Sequence, residues 1–202
     1  NLGNVLQERG RLEESIQAYH KAIEIQPRYV KIYNNLGLAF KEQGKLEESI
    51  QAYHKAIEIQ PNYAEAYNNL GLAFKEQGKL EESIQAYHKA IEIQPNYAEV
   101  YNNLGLAFKE QGKLEESTLI FYKVTQNHPQ FLAAYYNLGN VLQERGRLEE
   151  SIQAYHKAIE IQPRYVKIYN NLGLAFKEQG KLEESIQAYH KAIEIQPNYA
   201  EA

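Results

Sequence analysis

Apolar residues recur along this chain with the 3.6-residue period of amphipathic helices, and the pattern restarts every 34 residues. In the stretch 64–97, Tyr67, Leu70, Gly71 and Phe74 fall at i, i+3, i+4 and i+7, which predicts a first helix. The pattern lapses from Lys75 to Lys79 around Gly78, a residue suited to the left-handed position after a helix end. A second stripe of Leu80, Ser83, Ile84, Tyr87, Ala90 and Ile91 predicts a second helix. Its other face carries Glu81, Glu82, Gln85, His88, Lys89 and Glu92, and the two acids in its first turn suit the helix dipole. Pro95 forces the chain out of helix. Asn96, with Glu99 three residues later, reads as a capping-box-like start for the next helix. Each unit is expected to be a helical hairpin.

Complete units run over 30–63, 64–97, 98–131, 132–165 and 166–199. A partial unit, 1–29, precedes them, and 200–202 open a seventh, so 1–202 is expected to form a single array. A larger period lies above the small one. Residues 1–66 and 137–202 are identical, an offset of 136, or four units. A recent duplication and an engineered concatenation of a four-unit block both account for that identity.

The pattern-bearing residues are Tyr67-x2-Leu70-Gly71-x2-Phe74, then Ser83-x3-Tyr87, Ala90 and Pro95. They resemble the tetratricopeptide repeat (TPR), whose signature is W-x2-L-G-x2-Y, then A-x3-F, then P. Tyr67 stands in place of the family's Trp, and Ser83 in place of its small Ala. The resemblance implies an all-α fold: a right-handed α-solenoid, or superhelix, of stacked antiparallel helix pairs. It also implies a concave groove lined by one face of the first helices.

A net charge of −4 argues against nucleic acid, whose binding needs basic stripes. Without cysteine there is neither a disulfide nor a thiolate metal site. No apolar run reaches membrane-spanning length and no signal peptide is visible, so a cytoplasmic protein without membrane contact is expected. Methionine is absent too, which reads Asn1 as the start of a fragment. His20, His54, His88, His156 and His190 recur once per unit on a solvent face, too far apart to share a metal. Neither a P-loop, a dinucleotide fingerprint nor a nucleophile elbow is present. The chain is therefore expected not to be an enzyme and to carry no cofactor.

The groove carries the most suggestive constellation. Asn35, Asn69, Asn103, Asn137 and Asn171 each precede the Leu-Gly pair, and Asn1 does so in the first unit. Asn34, Asn68, Asn102 and Asn170 double the motif, with Tyr136 the exception. Asn is a poor helix-interior residue, and its carboxamide both donates and accepts, as clamping an extended peptide backbone requires. The arrangement is similar to the asparagine ladder in the TPR superhelix of O-GlcNAc transferase, which implies binding of a partner through its backbone. Leu38, Leu72, Leu106 and Leu174 are expected beside the amides, with Lys41, Lys75 and Lys109 on the same face. Lys31 and Lys167 stand where the next units have Glu65 and Glu201, and Arg28 replaces Asn62, which reads as the loss of an N-cap. The edge series Lys31, Glu65, Glu99, Ala133, Lys167, Glu201 predicts a ligand of complementary charge. The carboxylate clamp of other TPR proteins is not matched, because its first-helix Lys and Asn are Asn34 and Leu38 here.

One unit deviates. In 98–131, Val124 replaces the Ala of other units at a close helix contact, and Leu119 and Tyr122 replace Gln85 and His88, which reads as scattered surface apolars ahead of a lateral contact patch. Three functions fit the whole: a scaffold for a protein or extended peptide, a self-assembling solenoid, and the substrate-recruiting arm of a larger enzyme. The stripe at both ends of the array also predicts head-to-tail self-association.

Overall fold

A computed structural model describes residues 2–198. Twelve helices occur among them. The first helices of the units are α1 (Leu2–Glu8), α3 (Val30–Glu42), α5 (Ala64–Glu76), α7 (Ala98–Glu110), α9 (Leu132–Glu144) and α11 (Val166–Glu178). The second helices are α2 (Leu12–Ile25), α4 (Leu46–Ile59), α6 (Leu80–Ile93), α8 (Leu114–Asn127), α10 (Leu148–Ile161) and α12 (Leu182–Ile195). The 34-residue period thus resolves into an all-α array of helix pairs. Among the described residues no helix is long and apolar enough to cross a membrane. The opening residues of a seventh unit, with Glu201, lie outside the described residues, as does Asn1.

The chain divides into two compact units, Asn1–Ala107 and Phe108–Ala202. In the first, α1 packs on α2, α3 on α4 and α5 on α6, and each second helix also packs on the first helix that follows it, α2 on α3 and α4 on α5. In the second, the same order links α8 to α9, α9 to α10, α10 to α11 and α11 to α12.

Five hairpins are held by one glycine, one tyrosine and one serine, and in the 98–131 unit Phe121 stands in the tyrosine's place. Tyr87 is fully buried, and its ring lies so close to Gly71 that a Cβ there would meet Cε1 at 2.5 Å. Ser83 Oγ donates to the Gly71 carbonyl at 2.7 Å, and Ser15, Ser49, Ser151 and Ser185 repeat the bond in their own units. This explains the departure from the family's alanine: a small residue is still required, and serine adds a buried hydrogen bond. The tyrosines then reach the next pair. Tyr53 packs with Leu70, Ala73 and Ala86, and Tyr155 with Ile168, Leu172 and Ala175. Between the helices of a pair Gly78 takes φ of 75°, the left-handed cap expected of it.

The helix starts differ from expectation. The N-cap position of α5 is Tyr63 and that of α3 is Tyr29, neither with a side-chain cap bond. Asn62 and Arg28 sit one residue earlier, in the turn before the helix, which in Arg28's unit is closed by Tyr29 N–H donating to the Gln26 carbonyl at 3.1 Å. Proline at the second turn position starts that turn early and moves the helix start past the asparagine. Exchanging Asn62 for Arg28 therefore discards no cap.

Candidate functional site

Asparagine pairs join successive first helices along one face of each compact unit. Asn69 Nδ2 donates to Asn34 Oδ1 at 3.0 Å, and Asn103 Nδ2 to Asn68 Oδ1 at 2.9 Å. The accepting residues are buried: Asn34 is 1% exposed and Asn68 7%. Asn34 Nδ2 in turn donates to Glu65 at 3.1 Å, and that carboxylate also accepts from Tyr63 Oη at 2.9 Å. Burial and this bond push the Tyr63 phenol up. The donating residues Asn35, Asn69, Asn103 and Asn171 are only half-buried, as are Asn102 and Asn137.

Where the buried acceptor is missing, a different asparagine supplies it. Tyr136 replaces the usual Asn, and Asn171 Nδ2 then bonds Asn140 Oδ1 at 2.8 Å as well as Tyr136 Oη at 3.2 Å. Asn140 lies one helical turn beyond Tyr136 on the same face, where other units carry Leu38, Leu72, Leu106 and Leu174. Asn4 does the same for Asn35 at 3.1 Å. The rung is conserved in geometry while its acceptor moves by one turn. Asn4 and Asn140 are site residues that the asparagine pattern alone did not single out. The signal was present, as a polar residue four positions after the one break in the doubled motif.

The displaced acceptor has a second task. Tyr155 Oη donates to Asn140 Oδ1 at 2.8 Å and approaches Gln143 Oε1 at 3.0 Å; Tyr19 finds Asn4 and Gln7 at 2.9 and 3.0 Å. Tyr53 faces Leu38 and Lys41 at those positions, and its buried hydroxyl has no hydrogen-bond partner among the described residues. Burial pushes the Tyr53 phenol well up. Leu38→Asn with Lys41→Gln, copying the Asn4 and Gln7 pair, is expected to raise stability by about 1 kcal/mol. An unsatisfied buried hydroxyl costs about 1–3 kcal/mol, and the poorer helix propensity of Asn returns roughly 0.5 kcal/mol. Urea denaturation of the variant checks it.

A second line of rungs runs beside the first. Gln7 Nε2 donates to Glu42 at 2.9 Å, Lys41 Nζ to Glu76 at 2.9 Å and Lys109 Nζ to Glu144 at 3.0 Å. Lys75 is half-buried on the same line. Leu38, Leu72 and Leu106 are half-buried between the two lines, while Leu174 is 41% exposed. Lys31 and Lys167 are exposed at the edge. Between α1 and α3 the face opens into a cleft of about 290 Å³ lined by Asn4, Gln7, Tyr19, Asn35, Leu38 and Glu42. Asn170 Oδ1, on α11, is buried without a hydrogen-bond partner among the described residues. No group of three or more His, Asp or Glu side chains placed to hold a metal occurs among the described residues.

No curated protein sequence matches the chain. Solved structures do. It is similar to the crystal structure of MamA at 27% identity and a TM-score of 0.74, over 85% of this chain and 93% of that one. Pseudomonas aeruginosa pilF aligns at 20% identity and a TM-score of 0.82, over 99% and 91%. YrrB, titled a TPR protein with an unusual peptide-binding site, aligns at 21% identity and a TM-score of 0.71, over 92% and 96%. The family model described as TPR repeat matches residues 3–44, 39–78, 71–112 and 139–180, and those described as tetratricopeptide repeat match 98–130 and 166–199. With the glycine–tyrosine hairpins repeating at the same spacing, these matches place the chain in the tetratricopeptide repeat family.

Proposed function

We propose that the chain is a binding scaffold whose first-helix face holds an extended polypeptide by its backbone. The observation that carries this reading is the state of Asn35, Asn69 and Asn103. Each spends one amide hydrogen on a rung, which fixes its orientation, and each remains half-exposed. A carboxamide has two hydrogens and two acceptor lone pairs, so an N–H and carbonyl capacity remain for a ligand. Asn34 and Asn68 act behind them as buried acceptors that hold the clamps in place. Successive helix pairs stand about 10 Å apart, and an extended chain advances about 3.3 Å per residue. One amide therefore meets about every third peptide residue. Peptides selected on the full chain from a random display library test this. N-methylation of a selected peptide at every third backbone nitrogen is expected to abolish binding in one of three frames. Equal binding in all three frames would sink the proposal.

Charge at the edge sets register. Lys31 is exposed, whereas Glu65 is already engaged by Asn34 and Tyr63. Selected peptides are expected to place an acid opposite Lys31, and Lys31→Glu to weaken them at low salt by about five-fold, an effect that fades as salt rises. Salt-independent binding unchanged by Lys31→Glu is the contrary result.

A second reading, head-to-tail association of the 202-residue polypeptide, has its own support. Ile50 is half-buried beneath α5, while its sequence equivalent Ile186 is 55% exposed, beside Leu182 at 55% and Ile193 at 41%. Lys177 and Glu183 make no ion pair among the described residues. A second copy in repeat register would bring Glu8 to Lys177 and Arg9 to Glu183, repeating the Lys109–Glu144 and Arg145–Glu115 pairs. Sedimentation is expected to show mass rising with concentration; a strict monomer at high concentration removes this reading.

A further inference from the structure

The opposite face of the hairpins carries a second set of clefts that recur in the 34-residue register. One, of about 580 Å³, is bounded by His54 and Glu82 and floored by Tyr67, Leu70 and Phe74. Its counterpart one unit earlier, of about 340 Å³, is bounded by His20 and Glu48 and floored by Tyr33, Leu36 and Phe40. In both, the histidine turns edge-on to the floor phenylalanine, with ring centroids 6.3 Å apart, and leaves an apolar floor open. Glu48 and Glu82 make no side-chain hydrogen bond or ion pair among the described residues.

A cleft two units further on, of about 520 Å³, differs at three places. Tyr122 stands where the others have histidine, Thr125 where they have Ile23 and Ile57, and Leu142 where they have the floor phenylalanine. Tyr122 is half-buried and donates its hydroxyl to Glu150 Oε2 at 2.7 Å. Arg147 Nε and Nη2 hold the same carboxylate, each at 2.7 Å. The Arg147 hydrogen bond, then that of Tyr122, keeps the Glu150 carboxyl below its usual range. Burial and Glu150 push the Tyr122 phenol up. The residues that looked like scattered surface apolars thus include a phenol bound across a cleft by the chain itself. Glu48 and Glu82 occupy the position of Glu150 in clefts that have no such phenol.

We propose that the clefts at Glu48 and Glu82 each take the side chain of a tyrosine from a partner polypeptide. The ring lies on the floor formed by Tyr67, Leu70 and Phe74, or its equivalent, and the hydroxyl donates to the glutamate as Tyr122 does to Glu150. A ring on an apolar and aromatic floor supplies area, and the carboxylate supplies the discrimination against phenylalanine. Since neighbouring pairs stand about 10 Å apart, one extended segment with tyrosines three residues apart fills both clefts.

The test is a titration of the full chain, read by backbone amide NMR, with acetyl-Tyr-Ser-Gly-Tyr-amide and with the same peptide bearing phenylalanine at both ends. Shift changes are expected at His20, His54, Gln51 and Gln85, with the tyrosine peptide binding about ten-fold tighter, a few-fold from each hydroxyl. Glu48→Ala with Glu82→Ala is expected to erase that preference while leaving phenylalanine-peptide binding in place. Both glutamates are exposed, so the variant keeps its fold, which the unchanged spectrum elsewhere verifies. Equal affinity of the two peptides, a preference that survives the double substitution, or shifts confined to the asparagine face would each overturn the proposal.

Discussion

Gly71→Ala is expected to destabilise the chain by about 2 kcal/mol, although alanine is the better helix former by about 1 kcal/mol. The added methyl would lie 2.5 Å from Tyr87 Cε1, 2.8 Å from Cδ1 and 3.0 Å from Cζ. Real carbon contacts sit near 3.5–4.0 Å, so the ring must leave. It has nowhere to go, because Tyr87 is fully buried with Ala86 and Ala90 beside it on α6. Overpacking of this kind costs about 1–3 kcal/mol, and three short contacts to one rigid ring put it at or beyond the top of that range. The loop glycine seven residues further on fails for a different reason. At Gly78 a Cβ would meet nothing within 4 Å, but φ is 75°. Gly78→Ala is expected to cost about 1 kcal/mol, from handedness alone. Urea denaturation followed by circular dichroism separates the two. Pairing Gly71→Ala with Tyr87→Leu, which removes the clashing ring edge, is expected to recover part of the loss. The Gly78 variant gains nothing from that partner. Additive losses in the Gly71–Tyr87 double variant would show that the close approach is not the cause.

The fold was legible because each unit repeats one amphipathic pattern, and Gly78 announced its role by position, between stripes, where a left-handed turn is expected. Gly71 read only as one member of a stripe, and the ring of Tyr87 against it is visible in the packing alone. The helix starts were less legible. Asn62 and Asn96 look like caps in sequence, but the Gln-Pro turn uses that residue and starts α5 after Tyr63. Ser83 read as a tolerated exchange for alanine, since volume is visible in sequence and the Gly71 carbonyl as its acceptor is not.

On the asparagine face the pattern identified the donors of the rungs and left their acceptors undistinguished. Asn34 and Asn35 are adjacent letters, yet helical phase buries one at 1% exposure and leaves the other half-exposed. A 100° step around the axis separates a buried acceptor from a half-exposed donor. Asn140 was hidden for a related reason: the break at Tyr136 looked like a loss, and only the packing of α9 against α11 shows Asn171 reaching one turn further. Tyr122 went unread as a partner because Glu150 lies 28 residues away, on a helix that only the fold brings near.

Asn35→Ala, Asn69→Ala and Asn103→Ala combined are expected to weaken a display-selected peptide by about 10²-fold, the sum of three lost hydrogen bonds at about 1 kcal/mol each. The same substitutions also remove three rungs, so a loss of binding alone would not separate clamping from stiffening. Asn34→Ala provides the contrast. It removes the buried acceptor of Asn69 and a donor to Glu65, but it presents no amide to the open face. Stability is therefore expected to fall in both variants, by about 1–3 kcal/mol where a buried group is left unpaired. Affinity is expected to fall by two orders of magnitude only in the triple variant and by a few-fold in Asn34→Ala. A conservative return, Asn69→Gln in the wild-type background, places a carboxamide one methylene further out. It is expected to keep the donor and acceptor and to lose affinity by a few-fold, as Asn34→Ala does, since the same rung that orients the amide is broken. Measured by fluorescence anisotropy with the labelled peptide, a clamp gives loss of affinity in proportion to the exposed amides removed. If Asn34→Ala and the triple variant weaken the peptide equally, the asparagines only join the repeats, and the peptide is held by something else.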